Sequence, residues 1–257
     1  MRFKGKVAVI TGAASGLGAT YARDMAREGA AIVAVDMGET GAIVSELNGL
    51  GGEALGLRAD VTREEDVRRF VEQTVSRFGK VDILVNNAGG GRVPRREGVD
   101  DLIDLEQWRR LMEMNLTSAV LCCNFVAPHM RRQKYGRIVN VSSRAARAVG
   151  WFSAVSTGYI TSKIGVMGLT RDLAARLGPE GITVNCILPG FVVSGPAMQA
   201  RWDAMSEAEH QRLVAETPLR RMPRPGEISS VVLFLASDEA SYVTGASIDV
   251  NGGSTMS

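Results

Sequence analysis

Residues 6–18 read KVAVITGAASGLG, and after one amphipathic stretch residues 30–36 read AAIVAVD. Both runs are short and rich in β-branched residues, which predicts strands buried on both faces, as in a parallel sheet. Gly12, Gly16 and Gly18 follow the first run where the chain turns into a helix expected over 16–29. Without side chains the backbone can turn sharply and approach a pyrophosphate, which the positive end of the helix then holds. The spacing is G-x-x-x-G-x-G rather than G-x-G-x-x-G, so its place after the first strand carries the weight. Asp36 ends the second strand, 18 residues beyond Gly18. An acid there accepts hydrogen bonds from the adenosine ribose hydroxyls and repels a 2′-phosphate. Ser15 and Met37 flank it and neither is basic, so NAD(H) is expected over NADP(H).

The same alternation continues outward. Helices are expected over 39–50, 63–78, about 105–132, through Tyr159, and over 226–236. Strands are expected in EALGLRAD (53–60), VDILVNNAG (81–89), GRIVNVSS (136–143), ITVNCILPG (182–190) and ASIDVNGG (246–253). Strands alternating with helices imply an α/β, doubly wound parallel sheet covered on both faces. No linker or repeat interrupts it, so 1–257 is read as one domain. The 257 residues are 45% hydrophobic with a net charge of +2, enough for a large core and without a block that suggests nucleic acid or an anionic membrane. Cys122, Cys123 and Cys186 lack metal-ligand spacing, and His129 and His210 are far apart, which argues against a metal site or a Ser-His-Asp triad. The first residues lack a signal-peptide pattern and no long apolar segment follows, so the cytoplasm is the expected compartment.

Residues 158–163, GYITSK, place Tyr159 and Lys163 four apart in a stretch with helical periodicity. They therefore share a helix face. A phenol has an ordinary pKa of about 10, and a neighbouring cation favours its phenolate. Alone, this spacing is often structural; its company decides.

TGAASGLG (11–18), NNAG (86–89), NVSS (140–143), YITSK (159–163) and LPG (188–190) occur in the order and spacing of the short-chain dehydrogenase/reductase family, which the whole chain resembles. The resemblance implies a Rossmann-type fold with a seven-stranded sheet, hydride transfer between a nicotinamide and an alcohol or carbonyl, and a homotetramer. By position, Asn115, Ser143, Tyr159 and Lys163 match the family's catalytic tetrad. Gly12, Ser15, Gly16, Leu17, Gly18, Asp36, Asp60, Val61, Asn87, Ala88, Gly89, Tyr159, Lys163, Pro189, Gly190, Val192 and Ser194 match the cofactor site. Ser194 stands where the family usually has threonine. In this scheme Tyr159, its pKa lowered by Lys163 and by the nicotinamide charge, takes the alcohol proton. Ser143 orients the substrate oxygen, Lys163 also holds the nicotinamide ribose, and Asn115 keeps a water that relays protons.

Two loops are longer than that pattern. Residues 144–158, RAARAVGWFSAVSTG, and 90–108, GGRVPRREGVDDLIDLEQW, should border the substrate. They carry Arg92, Arg95, Arg96, Arg144 and Arg147 with Trp151 and Phe152. One reading is an anionic substrate gripped by arginine forks. The other is solvated arginines, or pairs with Glu97, Asp100 and Asp101. The extra length also puts Ser142 in contention with Ser143, which the motif favours. Residues 194–217 are expected to form a substrate lid, with Met198, Trp202 and Met205 at helical spacing and His210 exposed. The apolar faces of 116–130 and of the Tyr159 helix, with residues 243–257, match the family's tetramer contacts. The leading function is an NAD-dependent secondary-alcohol dehydrogenase or ketone reductase. The alternatives are a 3-oxoacyl-thioester reductase and a non-catalytic NAD-binding regulator; no metal, nucleic acid or membrane partner is expected.

Overall fold

The computed structural model describes residues 1–91, 93–94, 102–147 and 156–256. The seven strands are β1 (Val7–Thr11), β2 (Ala31–Asp36), β3 (Ala54–Arg58), β4 (Ile83–Asn86), β5 (Gly136–Val141), β6 (Ile182–Pro189) and β7 (Ser247–Val250). They form one sheet in the order β3-β2-β1-β4-β5-β6-β7, and every pairing is parallel. The order reverses between β1 and β4, which opens a crevice at the carboxyl ends of the strands.

Alternation along the strands explains the two layers. In β1, Ala8 and Ile10 pack with Tyr21 and Met25 of α1 (Gly16–Arg27) and with Ile228 and Val232 of α9 (Pro225–Ala236). Val7 and Val9 face the opposite layer. There they join Val67 and Phe70 of α3 (Glu64–Phe78), Cys122 and Val126 of α5 (Ser118–Gln133), and Leu177 of α6 (Thr157–Leu177). The short α2 (Gly41–Gly49) seals the β2–β3 edge with Ile43 and Leu47.

Local chemistry sets the helix ends. Glu64, Glu65 and Asp66 open α3 against the positive end of its dipole, and Gly79 closes it in the left-handed conformation. Asp104 caps α4 (Leu105–Met112) by accepting from the backbone of Glu106 and Gln107.

Two expected helices differ from the sequence reading. The long helix over 105–132 is divided into α4 and α5 by one π turn, Glu113–Thr117. The side chain of Asn115 donates to the carbonyl of Leu111 at 2.9 Å, competing with the backbone for the acceptor four residues earlier. The segment expected to form a lid is likewise two helices, α7 (Pro196–Asp203) and α8 (Glu207–Ala215). Ser206 and Glu209 form a reciprocal capping box that starts α8 afresh, so Met205 falls in the break.

Candidate active site

The glycine turn is made by close packing of main chain. A Cβ on Gly18 would stand 2.1 Å from the carbonyl oxygen of Gly12, so α1 could not rest on β1 with any other residue there. Gly12 and Gly16 have φ of +66° and +60°, a conformation that favours glycine. Thr11 and Asn87 lock the turn to the end of β4: the Asn87 amide donates to the carbonyls of Thr11 and Gly12, and Thr11 Oγ1 accepts from the backbone of Asn87 and Ala88. Asp36 accepts from the backbone of Ala14 at 3.0 Å and of Gly38 at 2.9 Å, so its carboxylate is fixed at the mouth of the turn. This cradle of small residues, with a helix N-terminus behind it and a held acid beside it, fits a dinucleotide. Ser15 precedes the first turn of α1, where it is the N-cap residue. Asp60 accepts from the backbone and hydroxyl of Thr62, and Val61 is buried in the layer beneath. Sequence reading missed Arg58, which sits opposite Asp36 in the β2–β3 register and donates to the carbonyl of Met37.

Beyond the turn lies a cleft of about 740 Å³. Leu17, Asn87, Gly89, Ser143, Tyr159, Lys163, Pro189, Gly190, Val192 and Ser194 all line it. Asp36, Asp60 and Val61 lie outside its lining, on the β2–β3 side. A buried polar chain holds the helix that carries Tyr159: Asn86 donates to Asn140, and Asn140 donates to Thr170 of α6, both at 2.9 Å. At the start of that helix Ser156 caps the backbone of Tyr159.

Adjacent serines divide the work at the end of β5. Ser142 is buried and donates to the carbonyl of Lys163 at 2.7 Å, while Ser143 accepts from the backbone of Ala145 and favours the Tyr159 phenolate. Ser143 is thus the one aimed at the phenol. Asn115 is buried, with Oδ1 accepting from Gly90 at 2.9 Å and Nδ2 donating to the carbonyls of Gly90 and Leu111. Its side chain is occupied in shaping the backbone around Gly90 and Leu111.

Opposing effects set the electrostatics of the phenol. Burial pushes the Tyr159 pKa up; the Ser143 hydrogen bond and the charge of Arg201 oppose it. The Lys163 ammonium donates to the carbonyl of Val141 at 2.9 Å, and burial pulls its own pKa down to about 8. It lies 5.7 Å from the centre of the Tyr159 ring.

The substrate wall is the least expected part. Arg147 turns away from the cleft, donates to the carbonyl of Ser247 and lies 3.2 Å from Asp249. It ties the loop after β5 to β7 and is neither a cleft residue nor a solvated one. Arg144 is buried and lines both the cleft and a neighbouring cavity of about 250 Å³. Met198 lines the cleft, whereas Trp202 packs beside it: its ring stacks on His210 at 3.8 Å and meets Phe191 at 6.1 Å. His210 is therefore half-buried, not exposed, with Nε2 2.9 Å from the carbonyl of Trp202. Phe191 and Arg201 face the cleft and were not anticipated. Arg201 lies one residue before Trp202 in a charged segment, and periodicity alone carried no signal for it. Arg92, Arg95, Arg96, Glu97, Asp100, Asp101, Trp151 and Phe152 lie outside the described residues. Among the described residues no group of three or more potential metal ligands occurs, and no helix is long and apolar enough to cross a membrane.

With this geometry in place, comparison with known proteins identifies the family. A family model described as enoyl-(acyl carrier protein) reductase matches residues 12–255. The chain is 38% identical to the (2S)-[(R)-hydroxy(phenyl)methyl]succinyl-CoA dehydrogenase subunit BbsD of Thauera aromatica, over 100% of this chain and 99% of that one. It is 36% identical to the 3-oxoacyl-[acyl-carrier-protein] reductase FabG of Thermotoga maritima, over 98% and 99% of the two chains. A solved 7α-hydroxysteroid dehydrogenase, complexed with NADH and 7-oxo glycochenodeoxycholic acid, superposes with a TM-score of 0.88 at 35% identity, covering 98% of this chain and 95% of that one. A putative short-chain dehydrogenase/reductase from Burkholderia xenovorans superposes with a TM-score of 0.89 at 34% identity, covering 98% and 97%. The chain belongs to the short-chain dehydrogenase/reductase family and is an oxidoreductase acting on CH–OH groups.

Proposed function

From that membership we propose that the protein interconverts a secondary alcohol and a ketone with NAD(H), using Tyr159 as acid and base. The observation that carries the reading is the convergence of Ser143, Tyr159 and Lys163 on one cleft beside the glycine turn. When bound, the nicotinamide supplies the hydride acceptor or donor. The residues do the rest. Ser143 holds the substrate oxygen, Tyr159 takes the hydroxyl proton as the carbon–hydrogen bond breaks, and buried Lys163 holds the nicotinamide ribose. Gly12, Gly16 and Gly18 admit the pyrophosphate, Asp60 and Val61 border the adenine, and Ala88, Gly190, Val192 and Ser194 the nicotinamide. Residues 194–217 close over the substrate, and assembly is homotetrameric in the cytoplasm.

Asp36 supports NAD over NADP, because a 2′-phosphate would meet a held carboxylate. Arg58 is the counterweight, and its pairing with the Met37 carbonyl and with Glu39 at 3.6 Å draws it away. Wild-type protein is expected to bind NADH about tenfold or more tightly than NADPH, measured by fluorescence titration. Equal affinities would defeat this choice of cofactor. Tyr159→Phe is expected to lower kcat by about a thousandfold or more while leaving the NADH dissociation constant within about twofold. Retained turnover would remove Tyr159 from the chemistry.

A second reading has its own support. Two of the relatives above are named for thioester substrates, a succinyl-CoA and a 3-oxoacyl-[acyl-carrier-protein]. A 3-oxoacyl thioester is thus the ketone to assay beside simple ones.

A further inference from the structure

The charge of the cleft is one-sided. Among its described lining residues Arg144, Lys163 and Arg201 are cationic, and none is a carboxylate. Lys163 is held by the Val141 carbonyl, and Arg144 is buried with Glu216 as a favourable charge nearby. Arg201 differs from both. It projects from α7, a lid helix, and among the described residues no carboxylate forms an ion pair with it. Its guanidinium stands 5.3 Å from the centre of the Phe191 ring, a cation–π contact that settles the side chain without using its hydrogen-bond donors. It is also near enough to Tyr159 for its charge to favour the phenolate.

A planar fork with free donors, in a cleft whose described lining holds no acid, is built for a planar anion. The same lining includes hydrocarbon from Met114, Val141, Ala197 and Met198. We propose that Arg201 anchors a carboxylate carried by the substrate, so that the alcohol or ketone turned over is the anion of a hydroxy or oxo acid, or an acyl derivative that keeps a free carboxylate. The carboxylate meets the arginine fork while the reacting oxygen meets Ser143 and Tyr159. This assignment rests on the dehydrogenase reading above and replaces the loop arginines with one from the lid. A lid residue that binds substrate also couples recognition to closure, since the anion is gripped fully only when α7 lies over the cleft.

The test uses two dead-end probes, 3-phenylpropionate and 3-phenylpropionamide, with NADH-saturated protein in a calorimeter. Wild type is expected to bind the acid roughly 10- to 100-fold more tightly than the amide. Arg201→Met and Arg201→Gln should bind the two alike, with Arg201→Lys between. Oxidation of 3-hydroxy-3-phenylpropionate and its amide should show the same preference in kcat/KM, lost in the same variants. Three outcomes would overturn the proposal: no preference in wild type, a preference that survives Arg201→Met and Arg201→Gln, or equal weakening of acid and amide, which would make the arginine a mere support of the lid. Tyr159→Phe separates the two readings. It should keep the binding preference while losing oxidation; if it still oxidises, the catalytic reading fails and the anion site stands on the binding data.

Discussion

At the β1 end of the crevice the protein holds its shape with main chain; at the β5–β6 end it does so with side chains drawn from distant elements. Gly18 packs against the Gly12 carbonyl, and the turn is tied by backbone amides and by Asn87. Across the cleft, Ser143 lies two residues past the end of β5, Tyr159 sits on α6, and Phe191 and Arg201 come from the segment after β6. The first kind of construction tolerates one residue type per position. The second tolerates many, and its meaning lies in which side chains meet. Under the proposed function, one end of the crevice is the same for any alcohol, and the other is where a substrate is chosen.

That contrast can be broken from either side. The largest effect is expected for Gly18→Val, whose side chain would be driven into the Gly12 carbonyl. It should abolish measurable NADH binding and destabilise the fold by about 3 kcal/mol, read by titration and thermal unfolding. Near-normal binding would mean that the turn is more adaptable than its contacts indicate. Next is Ser143→Ala. Removing the hydroxyl should cost roughly a hundredfold in kcat. It should also move the pH profile. The hydrogen bond lowers a phenol pKa that burial raises, so without it Tyr159 ionises at higher pH and the rise of oxidation with pH shifts to the alkaline side. An acid shift would contradict that sign. The smallest catalytic effect is expected for Arg147→Met, which leaves Asp249 without its cation. Stability should fall by about 1–3 kcal/mol, with kcat/KM nearly unchanged for charged and neutral substrates alike. A selective loss on an anionic substrate would return Arg147 to the cleft and undo the assignment of its role to β7.

The same contrast explains what could be read from the chain alone. The strands and the glycine turn were legible because each imposes a residue type: β-branched runs in a sheet covered on both faces, glycine where a Cβ would collide. The motif favours Ser143 over Ser142, and the Ser142 hydroxyl is taken up by the Lys163 carbonyl. The π turn at Asn115 was not legible, because 116–130 keeps an apolar face and the signal is a single side chain competing for the Leu111 carbonyl. Nor was the division of the lid, since a capping box at Ser206 looks like any polar pair within a helix. Arg147 and Arg201 were the hardest. An arginine beside a site binds substrate, bridges to a strand or meets solvent according to contacts made with residues far away in sequence, Asp249 for one and Phe191 for the other.

The π turn has a further consequence, for insertion and deletion. A helix gains one residue at such a turn, which rotates everything beyond it by roughly 100° relative to the first half. That offset lets α4 pack on α6 while α5, on the same rod of chain, packs on α3. Loss of any single codon from 113–117 would restore an unbroken helix, keep the reading frame and change no amino acid that touches the cleft directly except Met114. Yet it would put one of the two packing faces out of phase and carry Asn115 off Gly90. At this point in the gene, a conservative-looking deletion would do more damage than most substitutions.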